Sequence, residues 1–200
     1  PVPIYPEYPG GEDRVRWHMK RGLDIFAEHF GTPPVGVWLS EGAISSAAVK
    51  LLDEFDIAWT ASGEGVWRDS CEASKVPAEQ MENKKALYHM MQHNDCRCSL
   101  FFRDDGLSDL IGFQYKSWKA EDAAEDFCRH LETISSFMVD DAGEKVITVI
   151  LDGENAWEYY PENGYQFLQA LYHKLTTHPD IVMSTFSDLL PAVEPSVIPL

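Results

Sequence analysis

The sequence contains no apolar run approaching the roughly eighteen residues that span a bilayer, and no charged leader followed by a greasy stretch. It is short of positive charge: 16 Lys and Arg stand against 33 Asp and Glu, a net charge of −17. Such a field repels phosphate backbones and anionic headgroups, so neither nucleic acid nor a membrane is an expected partner. A neutral ligand such as a sugar feels no such repulsion. Cysteine is sparse, and Cys71, Cys96, Cys98 and Cys128 lack the paired C-x-x-C spacing of a structural zinc site. Cys96 and Cys98 also lie too close for an unstrained disulfide, so free thiols in a reducing, cytoplasmic compartment are expected. His89 and His93, in "LYHMMQHND", would share one face of a helix, but no Glu completes an H-E-x-x-H pattern. No metal and no cofactor are expected. Internal repeats and low-complexity tracts are missing too. The chain opens at Pro1 rather than Met and closes on "PAVEPSVIPL", so a piece of a longer protein is expected, with 191–200 as a connecting segment.

What is present suits one folded domain: 44% hydrophobic residues, six of them Trp, in 200 residues. Val15, Met19, Leu23, Phe26 and Phe30 recur at helical spacing, and Gly31 with Pro33 marks a stop, predicting a helix over 12–30. Val35 to Leu39 reads as a short buried strand. Ile44, Ala47, Ala48, Leu51, Leu52 and Phe55 mark a second helix. Further strands are expected at 57–61, 99–103, 146–151 and 181–185. One helix carries the stripe Ala124, Phe127, Leu131, Ile134 and Met138, and another, capped by Asn163, buries Phe167, Leu168, Leu171 and Leu175. Alternating helices with strands apolar throughout predict an α/β fold, a parallel sheet covered by helices, in a barrel or a doubly wound arrangement. In either case ligands gather at the carboxyl ends of the strands.

Acids stand at those ends. Ser40 and Glu41 follow "VGVWL", Glu64 follows "IAWTA", Arg103, Asp104 and Asp105 end "SLFF", and Asp152 and Glu154 follow "VITVIL". Singly, each has an ordinary explanation: Glu41 complementing a helix dipole, Asp152 satisfying loop amides, Arg103 buttressing the rim through an acid. Together they would repel one another unless function held them there. Two carboxyls facing each other across a cleft edged by indoles and phenols suit cleavage of a glycosidic bond. One must stay protonated to release the leaving oxygen while the other, ionised, supports the oxocarbenium-like centre. Trp38, Trp157, Tyr159 and Tyr160 supply flat faces for sugar C–H surfaces, though core packing explains any one of them as well.

"GVWLSEGAIS" (36–45), "LFFRDDGLSDLIGFQY" (100–115) and "VILDGENAWEYYPENGYQFLQALY" (149–172) closely resemble segments of glycoside hydrolase family 57, a family of α-amylases, amylopullulanases and 4-α-glucanotransferases. The segments occur in the family's order, and the likeness covers nearly all of 1–200. It implies one incomplete, TIM-like (β/α)7-type barrel, only partly present, acting with retention on α-1,4/α-1,6-glucans such as starch or maltooligosaccharides. The family's nucleophile lies in the segment matched by "WLSEG", which assigns that role to Glu41. Its general acid/base lies in that matched by "LDGEN", which assigns it to Asp152. Retention asks for carboxyls about 5–5.5 Å apart, inversion for roughly 6.5–9.5 Å. Trp38, Arg103, Asp104, Asp109, Glu154, Trp157 and Tyr159 are the expected substrate-binding residues.

The family's His-containing first motif, its second motif and its aromatic-rich fifth motif are not found, and Leu39 stands where amylopullulanase-like members commonly have Pro. The remainder of the catalytic domain is therefore an expected partner, and poor turnover is expected of these residues alone. The alternative is a catalytically silent glucan-binding or scaffold piece. A metal-dependent carbohydrate deacetylase would need an Asp-His-His set at the strand ends, where acids appear without suitably placed histidines.

Overall fold

The computed structural model describes residues 10–77, 81, 84–94, 96–139, 144–153, 157–193 and 195–197. Helix α1 (Gly11–Phe30) stops at Gly31, whose N–H bonds to the Ala27 carbonyl at 2.9 Å. Strand β1 (Gly36–Trp38) enters a 3-10 turn, Ser40–Gly42, and then α2 (Ser46–Glu54). Ser45 caps α2 by accepting from the Ala48 N–H at 3.2 Å, worth about 1 kcal/mol. Strand β2 (Trp59–Gly63) runs directly into α3 (Glu64–Ala73). A 3-10 turn at Lys85–Tyr88, the short β3 (Met91–Gln92) and β4 (Ser99–Arg103) follow. Next come α4 (Asp105–Asp109), a π-helical turn at Leu110–Gln114 and the long α5 (Ala120–Phe137). A turn at Pro161–Gly164, α6 (Tyr165–Thr177), α7 (Phe186–Leu189) and β5 (Ser196–Val197) complete the order.

The sheet order is β1-β2-β4-β3-β5. β1, β2 and β4 are parallel, β3 runs antiparallel to β4, and β5 pairs in parallel with β3. This is the expected α/β class, modified by one reversed strand that a parallel-sheet reading does not foresee. β4 has the boundaries its apolar run predicts. Leu100 and Phe102 pack into one core with Val49, Leu52 and Trp67, and Phe101 packs into another with Ala61 and Met90. A strand covered on both faces reads apolar at every position.

Other expectations shift. The strand marked at 57–61 lies at Trp59–Gly63, because the turn out of α2, with Asp56 at φ 55°, still holds Ile57, whose N–H bonds back to the Leu52 carbonyl at 3.0 Å. The stretch 146–151 pairs with the sheet only through a bridge from Thr148 to Arg103. Residues 181–185 form no strand; Ile181 packs on the α5/α6 core instead. Within the expected connecting segment, Ser196 and Val197 pair with β3. His89 and His93 do not share a helix face, since His89 ends a 3-10 turn and His93 follows β3. Asn163 does not cap α6. Gly164 does, with φ 80°, and a Cβ there would lie 2.8 Å from the Trp157 ring.

The helices are covered unequally. α5 and α6 bury Phe127, Leu131, Phe167 and Leu171 between them. α1 has none of its 20 residues buried. Met19 and Leu23 touch the core, while Val15, Ile25, Phe26 and Phe30 remain exposed, Phe30 at 70%. The outer edge of β1 has no strand partner among the described residues. Among those residues, no helix is long and apolar enough to cross a membrane, and the four cysteines are buried and form no disulfide.

Candidate active site

Parallel pairing of β1 with β2, of β2 with β4, and of Arg103 with Thr148 brings four chain exits to one rim. Glu41, Glu64, Asp104 and Asp152 stand on it. Glu41 and Asp152 are three strand positions apart, roughly 14 Å along a flat sheet.

Glu41 sits in the 3-10 turn after β1 with φ 55° and ψ 18°, a left-handed conformation that β-carbon crowding disfavours. Side chains of β2 hold the turn in place. Thr60 Oγ1 donates to the Val37 carbonyl at 2.8 Å, and buried Ser62 Oγ donates to the Gly42 carbonyl. Gly42 is also left-handed, at φ 66°, and the Trp38 indole lies over it so closely that a Cβ would meet Cη2 at 2.7 Å. Trp38 and Glu41 are both exposed, and the Glu41 carboxylate takes no hydrogen bond or ion pair among the described residues.

The neighbouring acids differ. Glu64, 5% exposed, holds Arg68 at 2.6 Å and Lys84 at 2.7 Å. Asp104, 4% exposed, was expected to meet sugar hydroxyls. Both its oxygens are instead engaged internally: Oδ1 caps α4 by accepting from the Leu107 N–H at 2.8 Å, and Oδ2 accepts from the Tyr88 hydroxyl at 2.6 Å. Burial first, and then this bond to a carboxylate, push the Tyr88 phenol well above its ordinary pKa, so it stays a donor. Arg103 donates to Asp105 at 2.7 Å, Asp109 at 3.3 Å and the Ile150 carbonyl at 3.4 Å. Mutual repulsion along the rim is thus removed by local partners at most positions.

Asp152 is exposed at the end of 144–151, just past the Arg103–Ile150 contact. Glu154, expected to bind substrate, lies outside the described residues. Trp157 is half-buried against Tyr160, ring centroids 5.5 Å apart, and so serves packing at least in part. Tyr159 is 68% exposed with the Lys116 ammonium 5.0 Å from its ring. Tyr88 and Ser108 went unremarked in the sequence. Their one signal is a polar group set among apolar neighbours that all turn inward.

A mostly parallel sheet covered by helices, with acids at its strand exits, places the chain in the α/β class. The sequence profile of glycosyl hydrolase family 57 matches residues 2–200, and the chain belongs to that family. No curated protein sequence matches it. The fold is similar to that of the α-amylase AmyC from Thermotoga maritima, at 14% identity and TM-score 0.69 over 92% of this chain and 46% of that one. It is also similar to a GH57-type branching enzyme from Pyrococcus horikoshii, at 13% identity and TM-score 0.67 over 93% of this chain and 43% of that one. A 4-alpha-glucanotransferase from Thermococcus litoralis matches at 24% identity and TM-score 0.62, over 88% of this chain and 25% of that one. The chain thus spans less than half the length of each of these structures.

Proposed function

We propose that the chain carries the two reacting carboxyls of a retaining α-glucan hydrolase or glucanotransferase, with Glu41 as nucleophile and Asp152 as general acid/base. The observation that carries this reading is Glu41 itself. A carboxylate held in a disfavoured backbone conformation, exposed and without a partner among the described residues, stands on a rim whose other described acids at the β2 and β4 exits are paired with Lys84, Arg68 or Arg103 or accept a hydrogen bond from Tyr88. Strain maintained at a solvent-facing acid is typical of reacting groups. The named activities of the three structural relatives, amylase, glucanotransferase and branching enzyme, share α-linked glucose as substrate.

Glu41 attacks the anomeric carbon as Asp152 protonates the departing oxygen. Asp152 then activates water, or a sugar hydroxyl, to release the product with its anomeric configuration kept. This chemistry requires the sheet to curve enough to bring the two carboxyls within about 5–5.5 Å. Trp38 and Tyr159 present exposed rings for sugar faces, and Arg103 with Asp109 lines the rim. The test is cleavage of maltooligosaccharides by the complete protein carrying Glu41→Gln or Asp152→Asn, with the product anomer read by NMR. Unchanged rates in both variants, or an inverted product, ends the reading.

A second reading rests on coverage. The chain matches 25–46% of its structural relatives' lengths, and among the described residues the outer edge of β1 lacks a strand partner and Val15, Phe26 and Phe30 of α1 are exposed. A catalytically silent glucan-binding piece of such an enzyme would bind maltooligosaccharides in a calorimeter without releasing reducing ends.

A further inference from the structure

Residues on both sides of Asp152 are tied to one short stretch of chain, 103–114. Before Asp152, the Asp104 N–H donates to the Thr148 carbonyl at 2.8 Å, and Arg103 Nη1 donates to the Ile150 carbonyl at 3.4 Å. Ser108, only 1% exposed, bridges the same pair of segments. Its hydroxyl donates to the Asp104 carbonyl at 2.8 Å and accepts from the Ile150 N–H at 3.4 Å. After Asp152, the buried Tyr160 hydroxyl donates to the carbonyl of Ile111, inside the π-helical turn Leu110–Gln114. A π turn departs from the i→i+4 ladder, and such turns cluster at functional positions. Here it leaves a carbonyl within reach of a side chain from the far side of the loop.

The Tyr160 anchor is braced in turn. Its ring lies 5.5 Å from Trp157 and 5.3 Å from Phe167. Glu162, Asn163 and Gly164, at φ 52°, 51° and 80°, make consecutive left-handed residues that close the chain back under the Trp157 ring. Two adjacent non-glycine left-handed residues cost on the order of a kcal/mol each and persist only where packing enforces them.

We infer that Tyr160 and Ser108 are positioning residues that fasten the two ends of the Asp152 loop to the 103–114 stretch and so hold the acid/base at its working place. This rests on the assignment of Asp152 above. It gives "RDDGLSDLIGF" a task different from sugar binding: it is the jig against which the loop is set. A misplacement near 1 Å costs an acid about 100-fold.

The test compares two substrates. A maltooligosaccharide needs a proton on its leaving oxygen, whereas α-maltotriosyl fluoride loses fluoride with little assistance. In Tyr160→Phe and Ser108→Ala, kcat/KM, which reports only the steps up to departure of the leaving group and not the later activation of water, should fall about 10- to 100-fold on the oligosaccharide and less than about threefold on the fluoride. Equal losses on both, or none, overturns the inference, since a merely structural role does not distinguish leaving groups. Hydrogen exchange on the intact chain supplies a readout independent of turnover. Amides at 149–153 and 157–160 should exchange at least about tenfold faster in Tyr160→Phe while 99–103 stays unchanged; wild-type exchange at the loop overturns it equally. Asp152→Asn separates the failures: if it spares oligosaccharide cleavage, the acid/base assignment itself is wrong.

Discussion

The exits of β1 and β4 face the same rim, yet the chain treats their acids in opposite ways. At the β4 exit, Asp104 is buried, caps α4 and accepts a hydrogen bond from the Tyr88 hydroxyl, so its charge is satisfied within the fold. At the β1 exit, Glu41 is exposed, left-handed and without a partner among the described residues. One carboxylate contributes to stability and the other detracts from it. A rim of acids is therefore not itself an active site; the acid that the fold supports at a cost is the informative one.

Substitutions sharpen that contrast. Glu41→Gly should lower glucan cleavage at least about 1,000-fold, because the attacking group is gone, while raising stability by about 0.5–1 kcal/mol as the left-handed strain is relieved. Activity assays beside urea titration check both, and a variant that is less stable breaks the contrast. Asp104→Ala should cost about 3 kcal/mol in the same titration, since it removes a helix cap and leaves the buried Tyr88 hydroxyl unpaired. Glu64→Gln should cost less, about 1–2 kcal/mol. Its carboxylate is buried, but the Arg68 and Lys84 side chains are 52% and 35% exposed and water screens them.

The smallest effect is alkaline. Burial pushes the Cys98 thiol from 9.0 to about 12, and burial pushes the Tyr160 phenol from 10.0 to about 12. Each folded pKa lies above its unfolded value. The stability each contributes is complete below the unfolded pKa and is lost as pH rises through the window, 9 to 12 for Cys98 and 10 to 12 for Tyr160. Melting temperature should fall across that range, and less steeply in Cys98→Ala; an equal slope would show that Cys98 plays no part.

Much of this architecture was legible in the residues. SLFFR at 99–103 announced β4 because both its faces are covered, and the Val15–Phe30 spacing announced α1. The α3 helix stood out less, since a Glu-Gly start gives no stripe to follow, and reversed β3 has only two residues to signal a strand. The rim positions of Glu41 and Asp104 could be read from their places just after apolar strand runs. Their opposite treatment could not, because it depends on partners far along the chain or on backbone angles: Tyr88 for one, the Ser62 and Thr60 anchors for the other. Helix capping misled in a similar way. Asn163 has the chemistry of a cap, but the close Trp157 ring admits only glycine at the position that does the capping.

The half-covered α1 helix has a consequence for handling the molecule. Its exposed apolar end, where Phe26 and Phe30 pack with ring centroids 4.5 Å apart, acts like a weak adhesive, while the net charge of −17 keeps copies apart. In dilute buffer the repulsion should dominate. At molar salt, where the screening length shrinks to about 3 Å, the adhesive should win, and light scattering should show clustering that a Phe30→Lys change disperses.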